Sequence, residues 1–270
     1  MAITIDNAFI ERFNAEVKQQ YGTGSVYLPH VKKHSNVIGA TDTFQYLGGV
    51  VANTKTRNGD LTFLDPAHST VSITLLDRYA GIFVDDLDKK KSNVDFVSEY
   101  TKTIANALGV ATDTIIRDAV QLGTNSTTTA TGGLTYAKLL EIVKYFNEKK
   151  VPFSERMLSV GPQQISEALA ITQLTSADYN NMLAVQSGEI KQVLGMTWIL
   201  DPDLPVVADT TDYQNCFAYH KQAVGVSIGQ EQTIRMDYVP TKAAWSVVGK
   251  LSMGSKIIDN DGVVIMKCEV

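Results

Sequence analysis

The sequence predicts an α+β fold in which helices and strands are interleaved irregularly, and three observations carry that prediction. A helical period runs from Ser92 to about Leu122, where Val97, Tyr100, Ile104, Leu108, Ala111 and Ile115 step by three and four. The C-terminal quarter, Cys216 to Cys268, strings together strand-patterned segments with turn residues between them. Asn58-Gly59 lies between runs of β-formers, which is the strongest short hairpin signal.

Taken in chain order, residues 1–35 read as an arm. Phe9, Ile10, Phe13 and Val17 fall at helical spacing, Tyr21-Gly22-Thr23-Gly24 breaks that short helix, and an irregular basic stretch follows through Lys32 and Lys33. Over residues 36–85 the β signals are Phe44, Tyr46, Val50, Val51, Leu61, Phe63, Val71, Ile73 and Leu75. A type I′ turn at Asn58-Gly59 needs positive φ at both positions. Its flanks, Thr54 to Arg57 and Asp60, are polar, so the hairpin has little to bury at its end and is expected to project from the body.

Ser92 with Asp95 offers a capping-box-like start to the long helix. About 29 residues at 1.5 Å each would span about 43 Å. Gly109 lies inside it and predicts a bend or break. Gly123 to Gly133, rich in Thr and Ser, reads as a flexible connector and the best boundary. Beyond it the patterns predict a helix over Leu134–Lys149, a strand over Met157–Val160, a helix opened by Gly161-Pro162 and a short helix over Ser176–Val185. A β segment from Gly188 to Leu200 is closed by Asp201-Pro202-Asp203-Leu204-Pro205. In Met236–Leu251, Pro240 and Gly249 interrupt a run of β-formers, and Asp259-Asn260-Asp261-Gly262 makes a turn before Val263-Val264-Ile265-Met266.

At 270 residues, with 44% apolar and 20% charged residues, the chain has ample length for one large domain or two intimate ones. A net charge of −5 offers no general attraction to nucleic acid or an acidic membrane. Cys216 and Cys268 are too few for a disulfide framework or a zinc site and read as buried small residues in a reducing compartment. The N-terminus lacks signal-peptide regions, and no apolar run approaches the roughly 20 residues a membrane helix needs. A protein made in a cytoplasm, with no membrane partner, is expected.

Candidate chemical constellations are weak. Gly225-Val226-Ser227-Ile228-Gly229 matches the nucleophile-elbow pattern, but Gln230 to Tyr238 continues as strand. No histidine follows Ser227, and His220 lies upstream. Small residues in a β segment are the better reading. His30 and His34 are four apart, yet Pro29 argues against a helix presenting both to a metal. Asp85, Asp86 and Asp88 before Lys89-Lys90-Lys91 read as a solvated helix entrance or an intersubunit ion-pair patch. Gly22-Thr23-Gly24 lacks the rest of a dinucleotide fingerprint, and Asp259 to Gly262 lacks the remaining calcium ligands. No catalytic, cofactor-binding or metal-ligating residue is singled out, and the chain reads as a building block rather than an enzyme.

The order of arm, projecting hairpin, long helix, mixed module and terminal strands resembles the tailed-bacteriophage major capsid protein of the Hong Kong 97-type fold. Val151-Pro152 with Arg156, Val160-Gly161-Pro162 and Leu169 is similar to the helix–strand–helix opening of that family's axial domain. Gly188-Glu189-Ile190, Gly195 and Leu204-Pro205 resemble its next strand, and Cys216 to Gly225 with Gln230-Glu231 resembles the stretch before the final strands. The resemblance implies an N-terminal arm (1–35), an extended β-hairpin loop (36–80), a peripheral domain with a spine helix (81–130 and 231–258) and an axial domain (131–230 and 259–270). It implies a shell of hexamers and pentamers around double-stranded DNA, with the chain itself, a separate scaffolding protein and a portal as partners, since a fused scaffolding segment has no room here. Intersubunit contacts would come from Lys55, Arg57, Asn58, Gly59 and Asp60 on the hairpin and from Phe9 and Phe13 on the arm. An encapsulin-type nanocompartment shell is the alternative; an enzyme with an unrecognised site is the rival from another class.

Overall fold

The computed structural model of the chain describes residues 24–85, 87, 96–127, 132–175, 192–208 and 212–270. The expected arm helix with Phe9 and Phe13, the Asp86–Lys91 charge cluster, the Ser92 cap and the Ser176–Val185 helix lie outside these residues, apart from Leu87.

Twelve described strands form three sheets. The first has the order β1-β10-β11-β4: β1 (Lys32–Ser35), β10 (Val224–Val239), β11 (Ala244–Ile257) and β4 (Leu76–Asp85). β1 runs parallel to β10, and the remaining pairs are antiparallel. The second has the order β12-β9-β5-β7-β6: β12 (Val263–Glu269), β9 (Tyr213–His220), β5 (Arg156–Val160), β7 (Met196–Leu200) and β6 (Gln192–Val193). The short β8 (Val206–Val207) also pairs with β9. The third is a two-stranded ribbon of β2 (Thr41–Leu47) and β3 (His68–Thr74).

Helix α1 (Phe96–Val120) joins the first two sheets into one body. Of the stripe that the spacing predicts, Ile104, Leu108 and Ile115 are buried and Tyr100 and Ala111 are partly exposed; Ile116 and Val120 complete the buried face. The helix runs without the break expected at Gly109. That glycine instead admits the backbone of Gly24 and Ser25, whose atoms lie 3.3–3.5 Å from where its Cβ would be. Gly249, expected to interrupt a strand, is a continuous part of β11, and the absent side chain is where Ile104 and Leu108 rest. Glycine here lets a helix lie close on a sheet.

The other helices contribute to the core that also holds the second sheet. α2 (Tyr136–Glu148) begins at Thr135, whose hydroxyl accepts from the Lys138 amide, and buries Leu139, Ile142 and Phe146. Each of those side chains contributes about 1.5–3 kcal/mol by leaving water. α3 (Pro162–Ala170) starts on the proline the sequence marks, and the short α4 (Thr172–Thr175) follows. β5 is buried at all five positions, as a central strand with both faces covered must be. The expected β segment up to Leu200 is a hairpin of β6 and β7, turning on Leu194 (φ 55°) and Gly195 (φ 76°), which supplies the two positive φ values of a type I′ turn.

Three further expectations are corrected. Residues 24–35, read as part of an arm with an irregular basic stretch, pack into the body: Tyr27 and Val31 are buried, and Lys32–Ser35 is β1. Residues 123–127 are pinned rather than flexible, because the Thr127 amide donates to Ile265 O and Asn125 Nδ2 to Asn260 O. The run Met236–Leu251 is the end of the β10–β11 hairpin, with Pro240–Lys242 as its turn. No helix among the described residues is long and apolar enough to cross a membrane.

Candidate assembly surface

The β2–β3 ribbon stands on the four-stranded sheet, and its root is built from side chains that the sheet buries. Phe44 on β2 and Ile73 on β3 are each 1% exposed. Phe44 stacks on the His34 ring at 3.9 Å, with Lys32 Nζ 5.5 Å from its centroid. Asp42, two residues before Phe44, accepts from Ser227 Oγ (2.7 Å), His34 Nδ1 (2.9 Å) and the Thr43 amide (2.8 Å). On the other strand Lys256 Nζ donates to Ser72 O at 3.3 Å. An isolated two-stranded ribbon is marginal in water, so these anchors keep it folded.

Above the root the ribbon stops early. The last backbone rung is the Gly48 amide donating to Ala67 O, and residues 49–67 form no strand. Val50, Val51, Leu61 and Phe63, expected as strand-formers, lie outside any strand and, among the described residues, no sheet covers them. Val51 is 82% and Phe63 87% exposed, beside half-exposed Leu47, Val50, Leu61 and Leu64. The hairpin turn also differs from the type I′ expectation. The Gly59 amide donates to Thr56 O (3.0 Å), so Arg57 and Asn58 are the central residues. Only Asn58 takes positive φ (62°), the third-position requirement of a type II turn, which asparagine tolerates. Gly59 is outside the left-handed region, so a valine there meets the Thr56 hydroxyl rather than φ strain.

Of the contact candidates from the sequence, Lys55, Arg57, Asn58 and Asp60 are exposed at this tip and Gly59 is half-buried. Phe9 and Phe13 lie outside the described residues. Besides this polar tip, the segment exposes the large apolar side chains of Val50, Val51, Leu61, Phe63 and Leu64. The signal was present as strand-formers with no partner run of matching alternation. A second exposed set lies on the outer face of the four-stranded sheet, where Tyr79 and Phe83 flank Gly81 on β4 and Val248 sits opposite on β11. Lys242 Nζ covers the Phe83 ring at 3.9 Å. Exposed apolar side chains grouped in this way are candidates for an interaction surface.

The candidate chemical groups do not assemble into a relay. Ser227 meets a histidine and an aspartate, but the histidine is His34 rather than His220, and both Ser227 Oγ and His34 Nδ1 bind the same oxygen of Asp42. A nucleophile needs its hydroxyl on the imidazole. His220 lies on β9, its Nδ1 accepting from the Gln222 amide, and burial holds its pKa down. Purified protein is therefore expected to resist labelling by a fluorophosphonate probe at Ser227; labelling that disappears in Ser227→Ala would contradict this. His30 sits in a 3-10 turn and His34 on β1, and among the described residues no group of three or more His, Cys, Asp or Glu is placed to hold a metal ion. Cys216 and Cys268 are free and buried on paired strands β9 and β12, as expected.

A buried polar cluster ties α1 and the segment at Tyr27 to the second sheet. Arg117 on α1 donates to Asp201 just after β7 (3.0 and 3.3 Å), and Tyr27 OH donates to the same carboxylate at 2.7 Å while also bonding Ser159 on β5. Asp113 accepts from the amides of Val26 (3.0 Å) and Tyr27 (3.2 Å). Burial and the facing Asp201 charge push the Tyr27 phenol far above its ordinary pKa, so it stays a donor.

The fold is similar to the capsid structure of the cyanophage P-SCSP1u, with a TM-score of 0.78, 17% identity and coverage of 93% of this chain and 90% of that one. It is similar to a structure from Mycobacterium phage Che8 (TM-score 0.75, 18% identity, 93% and 94% coverage) and to the mature capsid of bacteriophage PhiM1 (0.73, 12%, 94% and 90%). No curated protein matches the sequence. The phage capsid protein family matches residues 5–270. With that match over nearly its whole length, the chain belongs to the phage capsid protein family.

Proposed function

We propose that copies of this chain form the hexamers and pentamers of an icosahedral shell around packaged double-stranded DNA, with the β2–β3 projection lying on a neighbouring copy. The observation that carries the reading is the exposed apolar edge of the projection, Val50, Val51, Leu61 and Phe63, which the described residues leave uncovered. In a closed assembly each copy would offer this edge once and receive one, so modest contacts add through repetition. In the same reading the arm expected over 1–35 is confined to the residues before Gly24, because Tyr27, Val31 and β1 belong to the body; 36–80 is the extended loop, and 81–130 with 231–258 a peripheral domain whose spine helix is α1. Residues 131–230 with 259–270 are the axial domain. Lys55, Arg57, Asn58, Gly59 and Asp60, with Phe9 and Phe13 on the arm, join the intersubunit contacts. A scaffolding protein and a portal are the remaining partners, and the protein is made in the host bacterial cytoplasm before it resides in the virion. The net charge of −5 suits a container that holds DNA without gripping its phosphates.

The test is electron microscopy of purified particles together with their ultraviolet absorbance. Closed shells with nucleic-acid absorbance are expected; closed shells filled with protein alone would return the reading to a nanocompartment, and soluble monomers under all conditions would remove it.

A further inference from the structure

Three separate elements converge on one carboxylate at the root of the projection. Asp42 is the second residue of β2; Ser227 comes from β10 and His34 from β1, and these two are register partners in the four-stranded sheet. Phe44, the next residue on that side of β2, lies over Gly225 with its Cε2 3.1 Å from where a Cβ would be. The root thus has two kinds of fastening. Phe44 and Ile73 are apolar and buried, and they would behave as a pivot; Asp42 is polar and 19% exposed, so solvent protons reach it.

We infer that the Asp42 carboxylate is a charge-dependent latch that sets the projection against the four-stranded sheet, and that neutralising it frees the projection to move while both main sheets stay folded. Hydrogen bonds to an ionised acceptor are about twice as strong as neutral ones, so loss of the charge weakens every tie at once. The charged and titratable groups around it are few. On β1 they are His34 itself and Lys32, which lies over Phe44; on β11 Lys256 holds Ser72 O; further along β2, Tyr46 faces Asp259 and Asp261. β10 contributes the neutral Ser227.

The Ser227 hydroxyl chiefly, then the His34 ring and the Thr43 amide, hold Asp42 below the ordinary carboxylate pKa against the opposing effect of burial. A depressed folded-state pKa places the latch energy above the ordinary carboxylate range, and it is lost as pH falls through the lower folded value. At neutral pH the latch is closed. The inference concerns motion within one subunit, so it stands or falls separately from shell formation.

The experiment is hydrogen–deuterium exchange by mass spectrometry on the full-length chain, wild type against Asp42→Asn. Exchange in Thr41–Leu47 and His68–Thr74 should rise on the order of tenfold at neutral pH, with Arg156–Val160 and Tyr213–His220 unchanged. Ser227→Ala and His34→Phe, the latter keeping a ring on Phe44, should each give a smaller rise in the same segments and serve if Asp42→Asn folds poorly. After correction for intrinsic exchange, the gap between wild type and Asp42→Asn should close as pH falls through and below the carboxylate range. Unchanged exchange in the ribbon, an equal rise in both main sheets, or a gap independent of pH would each overturn the latch.

Discussion

Replacing Val51 and Phe63 together by serine is expected to abolish shell formation while leaving the subunit's melting temperature within experimental scatter of wild type. Both side chains are more than four-fifths exposed and touch no core, and surface substitutions of that kind change stability by at most about 0.5 kcal/mol. In the proposed shell the same side chains are buried on a neighbour, where each contributes about 1.5–3 kcal/mol. The loss recurs at every copy, so the concentration needed for assembly should rise by two or more orders of magnitude. Thermal melting by circular dichroism beside particle yield by sedimentation checks both halves. A double variant that melts early would place the edges in the subunit's own core, and one that assembles normally would take them out of the lattice.

Asp201→Ala is expected to have the opposite profile, destabilising the subunit by about 3–5 kcal/mol because it strands the buried Arg117 guanidinium without its counter-charge. The Tyr27 phenol loses the same acceptor. For a chain of this size the melting temperature should fall by roughly 10 °C. Tyr27→Phe removes one hydroxyl and should cost only about 1–2 kcal/mol. Equal, small effects from both would show that the cluster does not fasten α1 to the second sheet.

Much of the scaffold was legible in the sequence because local rules and tertiary packing agree there. The apolar stripe of α1, the α2 helix over Tyr136–Glu148, Pro162 at the start of α3 and the Asp259–Gly262 turn follow from spacing and backbone preference alone. What was hidden depends on distant partners. Nothing local announces that Lys32-Lys33-His34-Ser35 pairs in parallel with Gly225 to Ile228, nearly two hundred residues away. The glycines at 109 and 249 look like helix and strand breakers because their value lies in what approaches them. At the candidate site the exposed turn between β2 and β3 was legible from Asn58-Gly59. Its turn geometry was not, and neither was the contrast between exposed apolar edges and polar tip. Alternating β-formers read the same whether a sheet or a neighbouring copy is to cover them.

The most direct test of the account is a cryo-electron-microscopy reconstruction of purified particles in which residues 48–67 can be traced. The account predicts a closed shell with Val51 and Phe63 buried against a second copy. A shell in which those side chains remain in solvent, or fold back onto their own subunit, would contradict it.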